Sequence, residues 1–186
     1  MRSWTPVTAA LAPVALIGGW TLAAARQRGG FDATSGTISA LAAQGADERW
    51  VMTTGLVVLG GAHVATAVGL TEARPAGRVV LAAGGVTAVL VAVFAQPSPA
   101  HLPVATASFV ALTVWPVLAA VPSRRAGWVV TGVLAALMAW FGLALDGPRV
   151  GLAERVVAGA QALWPLAAVA WLRVRRERTG PRQVHR

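Results

Sequence analysis

The chain has 186 residues, of which 56% are hydrophobic and only 12% charged, with a mean hydropathy of +0.63. A soluble domain carries about 25% charge, so this chain lacks the polar side chains to cover its own surface, and soluble enzymes, coiled coils and disordered chains are poor readings. The net charge of +9 comes entirely from arginine, since all sixteen basic residues are Arg. No nucleic-acid motif accompanies them, so nucleic acid is not expected as a partner. Cysteine is absent, which excludes disulfides and thiolate metal sites.

A membrane-crossing helix needs about 20 apolar residues. Six runs qualify, at about 6–25, 50–70, 79–95, 103–121, 127–145 and 152–172. The expected fold class is therefore all-α: a polytopic membrane protein with a six-helix bundle over 1–172 and a basic tail over 173–186. Met1-Arg2 ahead of the first run resembles a signal peptide. That run is longer than a usual signal core, and Gly18-Gly19-Trp20 reads as packing surface, so a retained helix is expected.

Between the first and second runs lies a 24-residue segment, Arg26 to Arg49. Segments this long are functional or disordered. Phe31, Ile38 and Leu41 argue against disorder and for a short interfacial helix over 37–43. Asp32 or Ser35 is its expected cap, and Ile38, Leu41 and Ala42 its apolar stripe. Asp47-Glu48-Arg49-Trp50 opens the second run, with acids favoured at a helix N-terminus and Trp in the interfacial belt.

His63 falls about 13 residues into the second run, roughly 20 Å down at 1.5 Å per residue. Ionisable groups at that depth are functional candidates. A bond to a backbone carbonyl or to the Thr66 hydroxyl is the structural alternative. Gln161, in the sixth run, is a candidate partner or a lining residue of the same cavity. His101 stands just before Pro103, close to a helix start, where Asp32, Glu48 or Glu154 nearby would make it a proton-transfer group; the other reading is a plain polar loop histidine. The spacing is not that of a metal site, and no metal or cofactor is expected. Glu154 and Arg155 lie just inside the sixth run. Charges there usually face the bundle and find a partner, so a pair with Asp32, Glu48 or Arg49 across an outer mouth is expected.

Helices in lipid associate through small residues. Gly18-Gly19, Gly55, Gly60-Gly61, Gly84-Gly85, Gly132 and Gly142 are the expected crossings, and Pro13, Pro116 and Pro165 the expected kinks. Orientation follows from arginine asymmetry. With both termini in the cytoplasm, the cytoplasmic segments hold eleven arginines and two acids, and the opposite side holds five of each. The cluster Arg173, Arg175, Arg176 and Arg178 would then face the anionic inner leaflet, with membrane lipids as the expected partner and any protein partner unknown.

The segments FDATSGTISALAAQGADERWVMTTGLVVLGGAHVATAVGL, HLPVA and GLAERVVAGAQALWP resemble the DUF998 family of bacterial integral membrane proteins, along nearly the whole chain. The composition looks actinobacterial. The resemblance implies a six-span plasma-membrane protein of uncharacterised biochemical role, and carries over Asp32, Ser39, Arg49, His101, Glu154 and Arg155 as its polar positions. A more distant similarity to the Frag1/DRAM/Sfk1 membrane proteins would imply lipid handling. Family members carry an acid after Phe-Pro near the end of the third span. Here Phe94-Ala95-Gln96-Pro97 has none, which weighs against a carboxylate–histidine pair in that loop.

The first expectation is thus a non-enzymatic protein. Its outward polar mouth, made of Asp32, Ser39, Glu48, Arg49, His101, Glu154 and Arg155, would bind a lipid headgroup, a small solute or a partner protein. The alternatives are an interfacial lipid hydrolase using His101, and a small-solute transporter with His63 on its path.

Overall fold

The structure is a computed structural model and describes residues 1–179. The last part of the expected tail, 180–186, lies outside the described residues. Among the described residues seven helices follow one another: α1 (Thr5–Ala24), α2 (Ile38–Leu41), α3 (Trp50–Gly69), α4 (Pro75–Val93), α5 (His101–Ala119), α6 (Arg124–Leu143) and α7 (Val150–Thr179). Six of them, all but α2, are long and apolar enough to cross a membrane. The chain is a multi-pass membrane protein with an all-helical bundle, and no strand occurs among the described residues.

The long helices form a closed ring in chain order. α1 packs on α3, α3 on α4, α4 on α5, α5 on α6 and α6 on α7, and α7 returns to α1. The contacts are close because the facing residues are small. A Cβ on Gly85 would stand 2.5 Å from the Gly60 carbonyl oxygen, and one on Gly55 would stand 3.0 Å from the Ala15 carbonyl oxygen. Gly19 and Gly84 sit at crossings too. Gly18, Gly61, Gly132 and Gly142 do not: no atom lies within 4 Å of their added Cβ. In alanine- and glycine-rich sequence, composition alone does not say which face of a helix turns inward.

The helix bounds differ from the hydropathy runs where charge is locally satisfied. α4 begins at Pro75 rather than 79, which keeps Arg78 inside the helix. Arg78 donates from Nε to the Ala67 carbonyl at 2.7 Å and from Nη2 to that of Val68 at 3.0 Å. It thereby covers the carbonyl groups left over at the end of α3. α5 likewise starts at His101, and α6 at Arg124, where the Ser123 hydroxyl accepts from the Ala126 N–H at 3.2 Å. α7 does not stop at 172; it runs on as one helix through the arginines to Thr179.

One end of the ring gathers the N-terminal residues, the α3–α4 turn and the last turns of α7. The amino group of Met1 meets Glu72 at 2.7 Å, and Arg176 pairs with the same carboxylate. We call this the terminal end. The long 26–49 segment and α2 close the opposite end.

Candidate functional site

The 26–49 segment folds over the start of α7. Asp32 accepts from the Thr34 N–H and the Ser35 hydroxyl, each at 2.8 Å, which turns the chain back on itself. Those two bonds hold its exposed carboxyl below the ordinary aspartate value. The cap of α2 is Thr37, not Asp32 or Ser35: its hydroxyl accepts from the Ala40 N–H at 3.0 Å. The helix is shorter than expected, but Ile38, Leu41 and Ala42 are buried as its stripe requires.

Arg155 holds this segment down. Its Nη1 donates to the carbonyls of Ala33 at 2.9 Å, Gly36 at 2.6 Å and Gly151 at 2.9 Å. The same guanidinium lies 5.6 Å from the Phe31 ring and 6.0 Å from that of Trp20, within cation–π range. The approach is tight enough that a side chain on Gly151 would strike the Gly36 carbonyl. Beside it the buried Glu154 accepts from the Ile38 N–H at 2.5 Å, while the Ser39 hydroxyl lies 3.4 Å away.

The expected ion pair of Glu154 or Arg155 with Asp32, Glu48 or Arg49 is therefore absent among the described residues. The backbone of the folded-over segment supplies the partners instead. Glu48 is exposed and accepts from the Trp50 indole N–H, and Arg49 stays at the start of α3 with its Nε buried and unpaired. Backbone donors and acceptors carry no sequence signature, so a reading of side chains alone looks for the wrong partner.

His101 also stands apart. Its Nδ1 lies 3.0 Å from the Phe94 carbonyl, and since a carbonyl only accepts, this nitrogen bears the proton. That bond ties the end of α4 to the start of α5. No hydrogen bond joins the His101 ring to a carboxylate or a serine hydroxyl among the described residues.

Beneath Glu154 lies a cavity of about 60 Å³, walled by α1, α2, α3, α4, α5 and α7. That is room for several waters. Its walls are mostly apolar, with Leu59, Val91 and Phe109 among them, but five polar side chains face it: Ser39, His63, Ser108, Glu154 and Gln161. Gln161 donates to the Phe109 carbonyl and the Thr113 hydroxyl, both at 2.9 Å, and the Ser108 hydroxyl donates to the Gly84 carbonyl at 3.1 Å. Gln161 thus lines the same cavity as His63 without bonding to it.

His63 is fully buried, and neither ring nitrogen has a hydrogen-bond partner. Neither bond of the structural alternative, to a backbone carbonyl or to Thr66, is made; the Thr66 hydroxyl donates to Thr8 of α1 at 2.9 Å. Among the described residues no three His, Asp or Glu side chains group as a metal site would need. What this geometry offers is a carboxyl, an amide and an imidazole facing one mostly apolar chamber, able to hydrogen-bond to what enters it.

The model of the family described as "Protein of unknown function (DUF998)" matches residues 9–171. The chain belongs to the DUF998 family. No curated protein and no solved structure matches it. The DUF998 match runs from α1 into α7 and includes every residue of the chamber and of the folded-over segment.

Proposed function

We propose that this DUF998 chain is a membrane binding protein whose site is the chamber under the Arg155-held segment. The ligand is a compact hydrogen-bonding molecule of a few non-hydrogen atoms that meets Glu154 and Ser39 or His63. The observation that carries this reading is the His63 ring. A neutral imidazole has one donor and one acceptor nitrogen, and each buried polar atom left unpaired costs about 1–3 kcal/mol. A fold keeps such a group facing a chamber when something that enters the chamber satisfies it. The site is then set deeper than a surface mouth: of the polar positions named from sequence, Ser39, Glu154, His63 and Gln161 line it, and Arg155 secures its cover.

Arginine asymmetry supports an orientation with the terminal end cytoplasmic and the covered end outward, in a bacterial plasma membrane. In that orientation Arg173, Arg175, Arg176 and Arg178 meet the anionic inner leaflet. An interfacial hydrolase draws less support, because the His101 ring is engaged with the Phe94 carbonyl and does not line the chamber.

Mass spectrometry of small molecules released from the detergent-purified protein tests the binding reading. The wild-type protein should carry a species that folded His63→Leu and Glu154→Leu variants lack. Identical released material from all three would overturn it.

A further inference from the structure

The chamber is closed on most sides. Its roof is tied down at two edges: the Gln44 N–H donates to the Gln96 carbonyl at 2.8 Å, and the Leu152 N–H donates to the Thr34 carbonyl at 2.9 Å. Toward the terminal end a second apolar cluster, with Leu81, Leu112, Trp115 and Val169, fills the bundle. Glycine crossings join α1 to α3 and α3 to α4, and a Cβ on Gly159 of α7 would lie 3.6 Å from the Trp20 ring of α1. Every lining residue from α1, α3 and α4 is buried. Four lining residues are only half-buried: Ser39 of α2, Ala105 and Phe109 of α5, and Ala158 of α7.

These four mark the side where α5 faces α7. Among the described residues, the hydrogen bonds between those two helices are the two that Gln161 makes, to the Phe109 carbonyl and the Thr113 hydroxyl. Toward the roof from Gln161, the chamber wall on this side is made of small residues, Ala105 and Ala158. They stand four and eight residues into their helices, or about 6 and 12 Å below the helix starts at 1.5 Å per residue. The gap therefore faces hydrocarbon, not water. α6 links α5 to α7 in the ring but lines none of the chamber. Its buried residues are Gly127 and Leu134, and none of the residues 135–143 is buried. From that loosely packed part, the Phe141 ring tilts against Phe109 with centroids 5.5 Å apart.

We propose that the chamber opens sideways into the bilayer between α5 and α7, behind the Phe109–Phe141 ring pair, and that its ligand is a neutral molecule that dissolves in hydrocarbon before it binds. Both rings are half-buried, so they turn toward lipid without unpacking a core. A charged group is costly to carry through hydrocarbon. A neutral molecule with a hydroxyl, carbonyl or amide gives up only its bonds to water and regains partners at Ser39, His63 or Glu154. The inference rests on the chamber being the binding site, and adds the route and the charge class of what it binds.

The chain has no cysteine, so a single introduced thiol reports on access. Ser108→Cys places it on the chamber wall, and Ala158→Cys serves if that variant does not fold. The full chain in vesicles of phosphatidylcholine and phosphatidylglycerol is treated with two reagents of the same reacting group. One is methyl methanethiosulfonate, which is neutral; the other is its trimethylammonium-ethyl analogue, a permanent cation. In both the cysteine sulfur bonds the thio sulfur and methanesulfinate leaves. Relative to Ser35→Cys, an exposed position outside the roof, the chamber thiol should react several-fold faster with the neutral reagent than with the cation. Ala105→Trp, which fills the gap, should slow the neutral reaction several-fold. Phe141→Ala, which removes a ring outside the chamber, should speed it, and decides the matter if Ala105→Trp does not fold. Neither change should alter labelling of Ser35→Cys. A chamber thiol that the cation reaches as readily, that neither reagent reaches, or whose neutral labelling ignores both folded variants would overturn the route. A released ligand with a permanent charge would overturn the ligand class. Sideways labelling with no co-purified molecule would leave the route standing and remove the binding reading; a co-purified molecule without sideways labelling would do the reverse.

Discussion

The Glu154 carboxylate and the Ile38 N–H meet at 2.5 Å, 116 residues apart in sequence. This contact makes the last helix hold the start of α2, and with it the roof of the chamber. Replacing Glu154 with Leu leaves the buried N–H without an acceptor, at a cost of about 1–3 kcal/mol. Glu154→Gln should lose much less, because an amide oxygen still accepts. Thermal unfolding in detergent should rank the proteins wild type, Gln, Leu in falling stability.

Arg155 gathers three carbonyls with one end of a planar guanidinium and lies near two aromatic rings. Lysine's ammonium also has three donors but lacks the flat face that lies against Phe31 and Trp20, so the exchange is not conservative here. We expect Arg155→Lys to expose the 26–36 segment to limited proteolysis almost as much as Arg155→Ala does. Equal cleavage rates in wild type and Arg155→Lys would show that the guanidinium contacts do not hold the segment.

Gly60 and Gly61 are adjacent but not equivalent. An added methyl at Gly60 would strike the Gly85 carbonyl, whereas nothing lies within 4 Å of one at Gly61. Overpacking against a backbone atom costs about 1–3 kcal/mol. Gly60→Ala should therefore lower the unfolding temperature clearly and Gly61→Ala should not, which differential scanning fluorimetry would read.

At the terminal end, partial burial works to raise the Glu72 carboxyl. The Met1 amino group, a backbone hydrogen bond and the Arg176 charge outweigh it, and the carboxyl is held below its ordinary value. A depressed folded-state pKa gives stability that is present above the unfolded value and lost as pH falls through the folded one. Below about pH 4, the ordinary glutamate range, backbone protection of residues 69–73 should weaken in hydrogen exchange. Glu72→Gln should lack that acid step. Solvent screening keeps the effect small.

Hydropathy made the six crossings legible, because length and apolarity are all that spanning a membrane demands. His63, Glu154 and Gln161 stood out for a related reason: a polar group in an apolar run has few innocent explanations. Their partners were not legible. Arg155 and Glu154 bond to the backbone of Ala33, Gly36 and Ile38, and any residue offers the same backbone groups. Thr66 was legible only as a candidate partner for His63; its actual partner, Thr8 of α1, was not. That pairing exists only once α1 and α3 are packed together. Gly61 and Gly60 look alike in sequence for the same reason, since facing is a property of the assembled ring.

Because α7 supplies Glu154, Arg155 and Gln161 and also closes the ring between α6 and α1, the chamber cannot exist while the chain is still emerging from the ribosome. Domains take shape from the N-terminal side during synthesis, so the first five crossings must wait in the bilayer with the α1–α7 seam open to lipid. A nascent chain halted before Val150 would be inserted yet roofless. Final assembly is thus a single late event, and lipid in that seam must leave when the last helix arrives.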